Sequence, residues 1–149
     1  MQLTKHFSLE EFTESNTATR LNINNDPPPE ILSNLFLLAS TMEEVRTLLD
    51  KPISINSGYR CPQLNKVIGG SKTSAHMKGL ACDFISRQFG SPLAIAKEIS
   101  ESTIQFDQLI YEGTWVHIGL SDNPINQRRE ILTAKFYGGK TTYLHGLVA

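Results

Sequence analysis

Between Pro29 and Pro52, six apolar residues recur at steps of four and three: Ile31, Leu35, Leu38, Met42, Val45 and Leu49. That spacing sets them on one stripe of an α-helix, about one face wide, and does not match the two-residue period of a strand. Asp26 followed by Pro27, Pro28 and Pro29 reads as the helix start, because proline is tolerated where the first N–H groups lack intrahelical partners. Pro52 ends the pattern. Fewer than three full heptads fit between these limits, so the stripe is expected to bury in a core and not to form a coiled coil.

The remaining pattern alternates short helices with short strands. Ser8 and Glu11 read as a capping box opening a helix through Phe12. Ile53 and Ile55 alternate with Ser54 and Asn56, a strand leading into Ser57-Gly58-Tyr59-Arg60. Pro62 starts a short helix that Gly69 and Gly70 end. Ser91 and Pro92 open a longer one, with Leu93, Ile95, Ala96 and Ile99 inward. Between Phe106 and Gly119, two apolar runs flank Gly113-Thr114, which predicts a hairpin closed by a two-residue type II′ turn. Beyond Leu120 a polar, turn-rich tail is expected, with Arg128, Arg129 and Lys135 solvated and Ile131, Leu132, Phe136 and Tyr143 docking in part. His145 stands isolated in that tail. The expected fold is α+β, with helices packed on a small, largely antiparallel sheet. One domain is expected over 1–149, with a core at about 6–120 and a C-terminal extension at 121–149.

Composition narrows the function classes. Hydrophobic residues make up 40% and charged residues 19% of 149 positions, which suits a globular chain that buries a real core. The net charge of −1 argues against nucleic acid or an anionic membrane as partner. Two cysteines, Cys61 and Cys82, cannot form a disulfide framework. Cys82 reads as a small buried apolar residue, and Cys61 lacks a second thiol at CxxC spacing. No run approaches a membrane span, and a monomer is expected.

The chemistry concentrates in Ser74 to Asp83, SAHMKGLACD, and in His117 of WVH. Two imidazoles and one carboxylate suit a zinc ion that keeps a position open for water, the requirement of metal-assisted hydrolysis. With four histidines in the chain, spacing alone is weak support, and the neighbouring residues decide.

Ser74, His76, Gly79, Ala81 and Asp83 fit S-x-H-x-x-G-x-A-x-D, and here the chain resembles the zinc D-Ala-D-Ala carboxypeptidases and related phage L-alanyl-D-glutamate endolysins. The segment SGYRCPQLNKVIGG, Ser57 to Gly70, is similar to the stretch preceding that pattern in the carboxypeptidase-like branch, and WVH to the block with the last ligand. The resemblance implies Zn2+ held by His76, Asp83 and His117, Arg60 holding a substrate carboxylate or carbonyl, and Ser74 contacting substrate. The residues also allow plainer roles. Arg60 can be a surface arginine or a structural ion pair, Ser74 a turn residue, and Gly79 a conformational requirement.

The hairpin carries an independent argument. In its expected register Glu112 faces Trp115 and Ile110 faces His117, so these four share one face while Asp107 and Tyr111 take the other. Glu112 is then a diagonal neighbour of His117, roughly 7–8 Å away, and is placed to act as general base. The alternative is a solvated glutamate at a hairpin tip. Many relatives carry an acid three residues before the last histidine, where this chain has Thr114, which cannot serve as a base. Asp107 is the fallback.

The expected activity is a zinc peptidase acting on peptidoglycan stem peptides, with Glu112 and Arg60 catalytic. The competing reading is a non-catalytic zinc-containing wall-binding or virion module. MQLTKHFSLEEF lacks the apolar stretch of a secretory leader, which favours a phage lysis enzyme made in the cytoplasm, or a protein carried in a phage particle.

Overall fold

The computed structural model describes residues 1–149. Two short N-terminal helices, α1 (Leu9–Thr13) and α2 (Asn16–Arg20), precede the long α3 (Pro29–Leu49). Then come β1 (Ser54–Ser57), α4 (Pro62–Val67), a 3₁₀ turn at Ala75–Lys78, β2 (Ala81–Ile85) and α5 (Pro92–Ser100). Strands β3 (Gln108–Tyr111), β4 (Val116–Gly119), β5 (Glu130–Tyr137) and β6 (Lys140–His145) complete the chain.

The stripe forms α3. Leu35, Leu38, Met42, Val45 and Leu49 are buried, and Ile31 packs against the same core. Pro28 is the N-cap and Pro29 the first helical residue, so the triple proline begins the helix without a side-chain cap from Asp26. Asp50, in the left-handed region at φ 52°, ends it just before Pro52. Ser8 caps α1 by accepting from Glu11 N–H, but Glu11 sends no bond back, so only half the box is made. Helix α2 has no apolar period to announce it; Ser15 caps it.

Six strands form one sheet in the order β1-β2-β4-β3-β5-β6, antiparallel except for β3 beside β5. The α+β architecture is as expected. One sheet face, with Cys82, Phe84, Leu109, Val116 and Ile118, is buried with α3 and α5 in a single core. The opposite face is left for the site. The tail departs from expectation: residues 130–145 are a long hairpin that extends the sheet. The chain leaves β4, passes beneath β3 and rises on its far side, which makes β5 parallel to β3. Pairing of that kind depends on a partner 22 residues away, and local pattern does not report it.

Candidate metal centre and catalytic cleft

Asp83 in β2 and His117 in β4 are directly opposed cross-strand partners on the open face. Alternation along each strand sends their neighbours Cys82, Phe84, Val116 and Ile118 into the core, so both polar side chains must point outward. His76 reaches the same point from the 3₁₀ turn. Ser74 Oγ accepts from His76 N–H to start that turn, and Gly79 at φ 69° ends it. A Cβ at Gly79 would also lie 2.9 Å from Ile31 Cγ2, so this glycine serves both conformation and close approach to α3.

His76 Nδ1 lies 2.7 Å from the carbonyl of Gly58. A carbonyl only accepts, so Nδ1 carries the proton and Nε2 offers its lone pair to the cleft. Gly58 is itself constrained: a Cβ there would meet Phe12 O at 2.5 Å. His76 Nε2 is 3.4 Å and His117 Nδ1 3.0 Å from Asp83 Oδ1. Gly119, two residues along the same face, leaves room for the His117 ring, whose Nε2 would sit 3.3 Å from a Cβ there. One donor atom from each of His76, Asp83 and His117 lies within 4.8 Å of the others.

Electrostatics favour the ligand forms. Burial lowers the His76 pKa against the pull of Asp83, which keeps the imidazole neutral. Burial alone would raise Asp83, but the hydrogen bond from His117 Nδ1 opposes this, and the carboxyl is held well below its usual range. Two imidazoles and a carboxylate, converging and partly desolvated, fit a zinc ion.

The hairpin register is as expected, with Ile110 opposite His117 and Glu112 N–H bonded to the Trp115 carbonyl. Glu112 Oε2 comes within 3.7 Å of His117 Nδ1. Its pKa is raised chiefly by burial; His117 opposes the shift and Asp83 adds to it. The turn itself differs from the type II′ expectation. Thr114 N–H bonds to the Glu112 carbonyl around Gly113 at φ 85°, which is a γ-turn. Thr114 is exposed at the tip and plays no part in the cleft.

Arg60 lines the same cleft and forms no ion pair. One Nη donates to Ser74 Oγ at 3.3 Å, while Nε is buried without a partner. Burial lowers the Arg60 pKa, opposed by Asp83 and Glu112. Ser74 thus orients both His76 and Arg60, which is the turn role, and it also lines the cleft. Asp107 departs from strict alternation: it lines the cleft rim, but both its oxygens are engaged by Arg128, at 3.0 and 2.8 Å. Trp115, to which the sequence assigned no role, also lines the cleft and turns its buried Nε1–H toward the Glu112 carboxyl, outside strict hydrogen-bond distance. Cys61 caps α4, His6 bonds to Glu43, and His145 lies on β6; none joins the cluster.

The cleft, about 720 Å³, therefore combines three donors that could hold a metal ion, an adjacent carboxylate and the unpartnered Nε of Arg60. Those are the components that metal-assisted hydrolysis requires. The chain belongs to the Peptidase M15 family, whose model matches residues 5–119. No curated protein matches the chain.

Proposed function

We propose that this protein is a zinc-dependent peptidase that cleaves peptidoglycan stem peptides, with His76, Asp83 and His117 holding the metal. The observation that carries this reading is the convergence of their donor atoms beside Glu112, in the same cleft as Arg60. Zinc held there supplies Lewis-acid polarisation of the scissile carbonyl and acidifies the attacking water. Glu112, its pKa raised by burial, takes the proton from that water and returns it to the leaving amine. Arg60, unpaired and partly desolvated, receives a carboxylate or polarised carbonyl through its planar fork. Gly58 and Ser74 keep His76 in its ligand tautomer and orientation. The likeness to phage endolysins extends the proposal to wall cleavage after release from the producing cell.

The test is hydrolysis of defined stem peptides by purified protein, with and without chelator, alongside elemental analysis. One zinc per chain and chelator-sensitive cleavage are expected, with zinc lost in the His76→Ala, His117→Ala double variant. A free C-terminal carboxylate should be preferred over its amide in wild type, and Arg60→Ala should lose that preference. Equal cleavage of both by wild type identifies an endopeptidase. Zinc-replete protein that binds wall peptides yet never cuts them is a binding module, and the proposal fails.

A further inference from the structure

Six residues lining the cleft lie beyond residue 119, outside the segment that matches the family: Leu120, Ser121, Asp122, Arg128, Leu132 and Tyr143. The last two belong to the β5–β6 hairpin. Register explains how so distant a segment reaches the site. Ile110 pairs with Leu132, and one step beyond the Tyr111–Thr133 pair Glu112 comes level with Ala134, whose partner is Tyr143. All lie on the face that carries Asp83 and His117. Ala134 is the only side chain in the row between Glu112 and Tyr143, and its small size leaves the phenol ring free to lean toward the site. Ile110, Leu132 and Ala134 form a separate three-residue apolar cluster on this face; Ile110 and Leu132 line the cleft as an apolar floor, with Ala134 packed against them.

Direction follows from strand order. Arg60 comes three residues after β1, the metal donors of the sheet are on β2 and β4, and Tyr143 is on β6 at the far edge. A peptide with its terminal carboxylate at Arg60 and its scissile carbonyl at the donor cluster continues over β3 and β5. We propose that Tyr143 and the Ile110–Leu132 floor form a subsite for the side chain on the acyl side of the scissile bond, sized for a small aliphatic group. This rests on the peptidase reading above. The ring of Tyr143 is the wall; its hydroxyl is not required. A larger side chain meets the ring and must push it out of the cleft, losing the contact that the small group keeps.

The test uses acetyl-Lys-D-Ala-D-Ala and its counterpart with D-Leu before the scissile bond. Cleavage is read as kcat/KM on zinc-loaded protein. Binding is read separately by the fluorescence of Trp115, the single tryptophan, in the Glu112→Gln background. Wild type and Tyr143→Phe should prefer the D-Ala peptide by about tenfold or more, the lower range for steric discrimination in apolar pockets, and Tyr143→Ala by under about threefold. Leu144→Ala, on the other face of β6, should match wild type and controls for loosening of the hairpin. Wild-type selectivity retained in Tyr143→Ala overturns the subsite and leaves the peptidase reading intact. Selective binding that depends on Tyr143, without cleavage, supports the subsite and sinks the peptidase reading. Absence of binding and cleavage for both peptides overturns both.

Discussion

Glu112 and Asp107 are acids that flank β3 at its two ends, and their surroundings separate them. Asp107 is engaged by Arg128 and its pKa is lowered chiefly by that bond, so it is a poor proton acceptor. Glu112 has no cationic partner at such range and its pKa is raised by burial. Glu112→Gln should keep zinc and shape while kcat falls by roughly 10²–10⁴-fold, the usual scale of lost general-base catalysis. The sign with pH follows: a base with a raised pKa is protonated as pH falls through that value, so kcat/KM drops on the acid side at a pH above 4.5, the ordinary glutamate value. The residual activity of the variant should lack this limb. Full turnover in Glu112→Gln, or an unchanged acid limb, would remove Glu112 from the reaction.

Besides its pairing with β3, the β5–β6 hairpin is fastened by side chains at the junction that leads into β5. Arg128 grips Asp107, and Arg129 donates to the carbonyls of Ile104 and Ser102 at 3.0 and 2.9 Å while lying 4.6 Å from the centre of the Phe106 ring. Arg129 also holds a left-handed backbone at φ 50°, unfavourable for a residue with a Cβ, so its side-chain bonds offset a local cost. Arg129→Ala should cost about 1–3 kcal/mol by leaving those carbonyls without partners. The effect should be local. Hydrogen exchange should accelerate across 130–145 and stay slow in β2 and β4; uniform acceleration would mean that the hairpin unfolds only with the whole sheet.

Metal binding and global stability share the same groups. The three donors come from β2, β4 and the 3₁₀ turn, elements that converge only in the folded chain, so zinc binds the native state in preference. At a free concentration 100 times its Kd, zinc should add about 2.7 kcal/mol, a Tm rise of roughly 5–10 °C for this size. The chelated protein has a pH signature of its own. His76 has a lowered folded pKa, so the unfolded chain takes up its proton first and stability falls as pH drops below 6.5. Acid therefore weakens both the fold and the zinc shift, since protons compete for the same imidazole. Thermal melts from pH 8 to 5, with zinc and with chelator, measure this; a zinc shift of constant size across the range would exclude His76 as a ligand.

Local signals were sufficient wherever one segment carries both its pattern and its purpose. The α3 stripe, the Ser91 and Pro62 helix starts and the 106–119 hairpin register were legible because capping, period and turn chemistry act over a few residues. The register alone placed Glu112 on the face of His117, and the family resemblance carried by S-x-H-x-x-G-x-A-x-D and WVH singled out the donor triad. The role of Gly58 was not legible, since it depends on the backbone of Phe12 and on His76, both far along the chain. Nor was the fate of the tail, where pairing of β5 with β3 turns polar, turn-rich residues into a wall of the cleft. The unpartnered Nε of Arg60 and the place of Trp115 beside Glu112 emerged only in three dimensions. The sequence by itself determined which groups can do chemistry, because side-chain type and short-range spacing are written there. Tertiary structure decided what surrounds them, because parallel pairing, burial and the boundary of a cleft arise from contacts between segments that no local pattern encodes.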